Sequence, residues 1–348
     1  RRIENIMLNQ LIKMAENGYL PDSIIKVGIR KLCNERLTWA KEIGDKGIIK
    51  NREKWIDILK DSPIALVPEK ANEQHYELPP KFFELVLGEH LKYSSGLWND
   101  NCNNLNQSEK DMLELSSKHA DIKDNYEILE LGCGWGSFTF YLAQKFKNSN
   151  ITAVSNSNDQ RKFIQDKCKK LNINNIEVIT CDMNDFTIDK KFDRVVSIEM
   201  FEHMRNYKKL LNKIGTFLND DGKLFVHIFS HKNLVYPYED NGPGDWMARE
   251  FFSGGIMPSH DLFSHFNDDL SILKDWKISG LHYMKTSYAW LEKMDSNKEE
   301  ILSLFAKTYG DDSKLWFYRW RIFFMACGEM FGLKNGTEWG VSHYLFGK

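Results

Sequence analysis

The sequence lacks a surplus of either charge: 47 Lys and Arg stand against 49 Asp and Glu, a net charge of -2 with histidines neutral. Without a large positive field there is little to hold a polyanion, so a nucleic-acid partner is not expected. No polybasic tract marks a membrane surface, and the apolar runs stop far short of a bilayer span. Integral membrane association is not expected either. The six cysteines (Cys33, Cys102, Cys133, Cys168, Cys181, Cys327) contain no C-x-x-C pair. Neither a zinc site nor a disulfide framework is indicated, and a reducing, cytoplasmic compartment fits. Internal repeats and low-complexity tracts are missing too. The chain begins at Arg1 rather than Met, which leaves a removed leader open.

What is there is 42% hydrophobic and 28% charged residues over 348 positions. That is globular composition, enough for about two domains or one large α/β domain with additions. From Ile3 to about Asp61 apolar residues recur three and four apart, predicting helices, with Pro21-Asp22 as a helix start. "EKANEQHYELPPKFFELVL" reads as a polar loop, two prolines and an amphipathic helix. "LKYSSGLWND" reads as a turn of small residues between aromatics, and a further helix runs to about Ala120.

Beyond that point strands alternate with helices. Tyr126–Leu131, Ile151–Val154, Ile176–Thr180, Phe192–Ile198 and Lys223–Phe229 are the strand candidates. Phe138–Phe146, Asp159–Leu171 and Tyr207–Phe217 are the helices between them. This alternation predicts a parallel sheet covered on both faces. Leu281–Thr286 and Val341–Phe346 are expected to close the sheet. Two helical segments rich in aromatics, "GDWMAREFFSGGIMPSHDLF" and "LWFYRWRIFFMACGEMFG", fall late in the chain.

The first strand runs into "LGCGWGS", with Gly132, Gly134 and Gly136. Glycines at a first strand–helix junction of an alternating α/β chain point to a ligand passing close to backbone. A dinucleotide fold wants G-x-G-x-x-G, but here the spacing is G-x-G-x-G and Ser137 stands where the third glycine would fall. No carboxylate ends the second strand, which offers Ser155, Asn156 and Gln160 instead. A nicotinamide cofactor is therefore disfavoured. With Glu130 in front, E-x-G-x-G-x-G resembles motif I of class I S-adenosylmethionine (SAM) methyltransferases. That resemblance implies SAM as cofactor, with Asp182 of "CDMNDF" on the adenine amino group and Met183 on the ring. Asn156 and Gln160 match the ribose contact, although most members have an acidic residue there.

A second cluster, "IEMFEHM", ends the Phe192–Ile198 strand, where α/β proteins place ligands. If it turns helical, Glu199 lies three and four residues from Glu202 and His203, on one face. A metal site from E-x-x-E-H lacks other ligand-rich motifs to complete it.

"IEMFEHM", "HYELPPKFF", "LKYSSGLW", "LFVHIFSHKNLVYPYED", "GDWMAREFFSGGIMPS" and "GTEWGVSHYLF" together resemble the coclaurine N-methyltransferase-like proteins of the cyclopropane fatty acid synthase superfamily. The resemblance covers nearly the whole chain. It implies an α/β class I Rossmann-like fold with a mostly parallel seven-stranded sheet. A helical cap over 1–120 precedes a methyltransferase core over 121–348, with helical lids at about 237–275 and 290–335. It implies Glu199, Glu202, His203 and Glu77 at the substrate amine, and adds Tyr93, Ser94 and Ile198 to the cofactor contacts. The expected partner is a small-molecule amine, and a homodimer is one possible assembly.

The chemistry of the residues agrees with that reading. SAM carries a sulfonium cation and an amine arrives protonated, so carboxylates must offset their repulsion. Removing the ammonium proton costs about 3–4 kcal/mol if its pKa lies about 2–3 units above ambient pH. A neutral histidine flanked by acids is a suitable acceptor. Trp246, Phe251, Phe252, Trp316, Phe317 and Trp320 are candidates to wall an apolar pocket, or simply to pack the core. The competing expectations are a non-catalytic SAM-binding module, against which the crowd of titratable groups at one strand end argues, and lipid modification. By resemblance, cyclopropane synthases hold a bicarbonate base with a Cys, a Glu, a His and a Tyr. Glu202, His227 and Tyr283 match three of these, but Ser95 stands at the cysteine position. Glu199 replaces a small residue, and its carboxylate would repel bicarbonate and attract an amine.

Overall fold

The computed structural model describes residues 2–66 and 78–348. The strands are β1 (Glu127–Leu131), β2 (Asn150–Ser155), β3 (Ile176–Thr180), β4 (Phe192–Ile198), β5 (Leu218–His231), β6 (Tyr236–Pro237), β7 (Ile256–Met257), β8 (Ser271–Ser279) and β9 (Trp339–Gly347). Seven of them form one sheet in the order β3-β2-β1-β4-β5-β9-β8, and β6 and β7 make a separate ribbon. β1 to β5 pair in parallel, whereas β9 runs antiparallel to both β5 and β8. All five parallel strands therefore end at the same edge, and the loops there meet.

Helices Ser137–Lys145, Asn158–Leu171 and Tyr207–Phe217 make the crossovers, as the alternation predicts. One late strand is not where the pattern puts it. Leu281–Thr286 lies inside helix Gly280–Ser296, and the strand is Ser271–Ser279 instead. The reason is physical. β8 is an edge strand carrying Lys274, Asp275 and Lys277, so its alternation looks like a solvated loop. "LHYMKT" alternates locally, but Tyr283, Thr286, Ser287, Trp290, Leu291 and Met294 are all buried, a helical stripe that wins over the longer window. Gly280 starts that helix where a Cβ would meet Trp339 O at 2.1 Å and Phe331 O at 2.2 Å. Only glycine fits there.

Before the sheet come helices Arg2–Glu16 and Asp22–Asp61, the second bent where Gly44 adopts φ +64°. They are tied to helix Ser313–Gly332 by charge. Arg321 forks onto Asp22 with two contacts of 2.9 Å, and Arg319 Nε donates to Glu16 Oε1 at 2.9 Å. Trp246 Nε1 donates to the same Glu16 oxygen at 2.9 Å. The span 237–275 holds little helix, only Trp246–Glu250 and short 3₁₀ turns beside the β6–β7 ribbon. The span 290–335 is mostly helical. Residues of the N-terminal helices and of both later spans line one cavity together with residues that follow β4.

Candidate active site

Gly132, Gly134 and Gly136 leave β1 with φ of +77°, +53° and +81°, a conformation side chains rarely adopt. Their surroundings differ. A Cβ on Gly132 would meet Met200 at 2.6 Å, and one on Gly136 would meet Phe140 at 2.9 Å. One on Gly134 would meet nothing within 4 Å. Gly134 therefore faces a cleft, lined also by Tyr93, Ser94, Glu130, Gly132, Ile198 and Glu199. A second cleft, lined by Asn156, Gln160, Asp182 and Met183, shares Gly132, Gly134 and Glu199 with the first. The two make one trough across the glycine turn. Gly136 does not line it and serves the entry to helix Ser137–Lys145.

The trough's chemistry fits an adenosyl amino acid. The Ser155 hydroxyl donates to Gln160 Oε1 at 2.6 Å, and the buried Gln160 Nε2 and the buried Ser137 hydroxyl have no hydrogen-bond partner among the described residues. Unmatched buried donors beside a cleft want a ligand. Burial pushes the Glu130 carboxyl up to about 8, against the hydrogen bond from Thr139 Oγ1. A cationic amino group placed there would draw that proton off.

At the end of β4 the segment is not α-helical. Glu199 sits at φ +47°, a strained setting for a side-chain residue that costs ~1–3 kcal/mol and tends to mark functional sites. Its N–H donates to His227 O at 2.8 Å. One 3₁₀ turn, Phe201–His203, follows. This geometry still turns Glu199, Glu202 and His203 into one cavity of about 570 Å³, shared with Tyr93 and Tyr283. Of the six candidate wall aromatics, Trp246 and Phe252 line it. Phe251 instead stacks on Phe323 at 4.5 Å, and Trp320 packs on Phe82 at 4.8 Å. Those belong to the core. Phe252 lies 4.7 Å from the His203 ring. Glu77 lies outside the described residues.

The Glu199 carboxylate is gripped from three sides. Tyr283 donates to Oε2 at 2.5 Å, His227 Nε2 pairs with Oε1 at 3.1 Å, and Ser95 N–H reaches Oε1 at 3.4 Å. His227 and Tyr283, two groups matched to a bicarbonate site, are committed to this carboxylate. Burial pushes the Glu199 acid up to about 7, with Lys92 as the largest opposing influence. Burial, then the nearby Glu199, pushes Glu202 well above the carboxylate range. Glu202 is 2% exposed and its Oε2 has no hydrogen-bond partner among the described residues. His203 goes the other way, down to about 4, because burial outweighs the pull of Glu199. Its ring is neutral throughout the physiological range.

Lys92 escapes sequence reasoning. It is 1% exposed, and its Nζ donates to Ser94 Oγ and to Ser95 O, the latter at 2.8 Å. Burial lowers its pKa to about 8, against the attraction of Glu199 and Glu109. Nothing distinguishes it in "LKYSSGLW" from a solvated lysine, since its acidic partners lie far away in sequence.

The chain matches the family model described as mycolic acid cyclopropane synthetase over residues 67–337. It is 38% identical to an (S)-coclaurine N-methyltransferase of Thalictrum flavum subsp. glaucum, over 97% of this chain and 95% of that protein. A pavine N-methyltransferase of the same plant is 33% identical over 97% and 96%. A crystal structure of coclaurine N-methyltransferase bound to N-methylheliamine and SAH is similar with a TM-score of 0.94, at 35% identity over 97% of this chain and 99% of that one.

Proposed function

Because the chain belongs to the coclaurine N-methyltransferase-like family of the cyclopropane synthase superfamily, and is a SAM-dependent N-methyltransferase, we propose that it methylates a small cyclic, aromatic-bearing amine of alkaloid type. The observation that carries this is the Glu199 carboxylate, held by His227 and Tyr283 where trough and cavity meet. It supplies negative charge where an ammonium must approach a second cation, and it takes up partners that a bicarbonate would need. SAM, bound along the trough, supplies an electrophilic methyl group on a positively charged sulfur.

The cavity residues divide the remaining work. Glu199 attracts and orients the ammonium. His203, neutral at its depressed pKa, accepts the proton, and Glu199 offsets the charge that results. Glu202, protonated in the free protein, can accept an N–H hydrogen bond from the amine on its carbonyl oxygen and becomes an anion only when cations fill the site. Trp246, Phe252 and Tyr93 give ring faces to hold the substrate in line with the methyl group. Glycine turn, Gln160, Asp182 and Met183 hold the cofactor. Residues 1–120 serve as cap, and the spans 237–275 and 290–335 as lids, a reading supported by their shared lining of the cavity. Six unpaired cysteines support a reducing, cytoplasmic setting.

Heliamine, the amine left when the methyl of N-methylheliamine is removed, is offered with SAM beside vesicles of unsaturated phospholipid. Mass spectrometry should find methylated heliamine and unchanged acyl chains. Cyclopropanated lipid with untouched amine would reverse the assignment.

A further inference from the structure

Three histidines outside the amine cavity form a chain that the mechanism above does not use. β5 and β9 place His227 directly opposite His343 in register, and His343 Nε2 meets His227 Nδ1 at 2.8 Å. His343 Nδ1 then meets Nδ1 of His119 at 2.8 Å. His119 closes helix Leu105–His119, where its ring stacks on Trp276 at 3.8 Å and 6°. At the inner end His227 Nε2 lies 3.1 Å from Glu199 Oε1. Every ring nitrogen of His227 and His343 is therefore spoken for, one toward the active site and one away from it. His227 and His343 are 0% exposed, whereas His119 is half-buried. The row runs from the catalytic carboxylate, across two sheet strands, to the protein surface.

We infer that His227, His343 and His119 relay the substrate's proton from Glu199 to solvent beside helix Leu105–His119. The inference rests on the N-methyltransferase reading. Each turnover of an ammonium substrate must shed one proton while cofactor and amine fill the front of the site. Burial keeps His227 and His343 far below the usual histidine range, with Lys92 adding to the effect at both. Both rings are thus neutral, each with one N–H and one lone pair, which is what passing a proton along a row requires. In the transfer, the proton that His203 takes from the amine passes to the neighbouring Glu199 carboxylate, and Glu199 Oε1–H gives it to His227 Nε2 as His227 Nδ1–H gives one to His343 Nε2. His343 Nδ1–H passes one to His119 Nδ1, and His119 Nε2–H yields one to water. One proton enters the row and one leaves it, and each ring regains its starting tautomer by flipping before the next turnover. Glu199 is left as the carboxylate, accepting from His227 Nε2–H. These are positioning residues, since only Glu199 faces the amine cavity.

The test is stopped-flow turnover of heliamine in weak buffer, with a pH indicator for released protons and quenched samples for methylated product. Wild type should release protons in step with methylation. His119→Ala and His343→Gln should still make product in the first turnover, while proton release and kcat fall by about tenfold or more, the scale of a lost proton-transfer partner. Added imidazole should restore release in His119→Ala, whose site opens to solvent, and not in His343→Gln, whose site does not. Thermal melts confirm that both variants are folded. If folded His119→Ala releases protons in step with methylation and ignores imidazole, the relay is wrong and the methyltransferase stands. If wild type methylates no amine, both fall.

Discussion

The cofactor trough and the amine cavity are built from the same sheet edge in opposite ways. The trough hangs on a contiguous turn, where three glycines in five residues set the backbone and Asp182 and Met183 follow two strands later. The cavity is assembled across distance. Glu199 meets His227 from the next strand, Tyr283 from a helix 84 positions on, and Ser95 from 104 positions before. Backbone shape makes the first, and burial and charge make the second. A change of shape should therefore silence the trough, whereas changes of charge at constant shape should grade the cavity.

The largest expected effect is in the trough. Gly134→Val puts a branched side chain where φ is +53° and where the space is open for a ligand rather than for packing. Calorimetric titration should show SAM binding lost while circular dichroism shows the fold retained. Wild-type affinity in the folded variant would erase the contrast between the two regions.

Next comes the cavity's proton acceptor. His203→Ala should lower single-turnover methylation by roughly 10²–10⁴-fold. The loss should shrink at high pH, where substrate arrives neutral. A parallel pH profile reduced by less than about threefold, too little for a lost general base, would make His203 structural.

How much of each region could be read in the sequence follows from how it is built. β3 and β4, and the Tyr207–Phe217 helix, stand where the apolar pattern puts them, because short-range periodicity is a local property. The glycine turn is legible for the same reason. Glu199, Glu202 and His203 were visible as a cluster, but not their geometry: a left-handed Glu199 and a single 3₁₀ turn replace the expected helix face. Lys92 was invisible, since only the fold brings Glu109 and Glu199 to it. His343 was likewise hidden in "VSHYLF", where alternation marks a strand and gives no sign that His227 stands opposite. The aromatic run of Ser313–Gly332 left pocket wall and core packing both open, and the fold chooses the core. Its richest residues, Phe317, Trp320 and Phe324, are core, as large apolar side chains usually are.

The smallest expected effect is none. Ser95→Cys restores the side chain at the position matched to a bicarbonate ligand, yet Glu199 still occupies His227 and Tyr283. Vesicle assays should show no cyclopropanated lipid. Appearance of that product would mean that the lipid and amine chemistries differ by a thiol rather than by a carboxylate.

The central claim is that the charge of Glu199 makes this an amine site, and pH tests it most directly. Burial pushes the Glu199 acid up to about 7 and His203 down to about 4, so of these two cavity groups it is Glu199 that ionises in the neutral range. An ionised Glu199 attracts the ammonium, hence the rate should rise with pH through about 7 and then level off. Glu199→Gln keeps the shape and removes the charge. The measurement is single-turnover methylation of heliamine against pH in wild type and Glu199→Gln. The account predicts that the step near 7 disappears in the variant. It predicts a plateau about tenfold to hundredfold lower, the worth of one charged hydrogen bond at ~1.5–3 kcal/mol. An unchanged step and plateau in Glu199→Gln would contradict it.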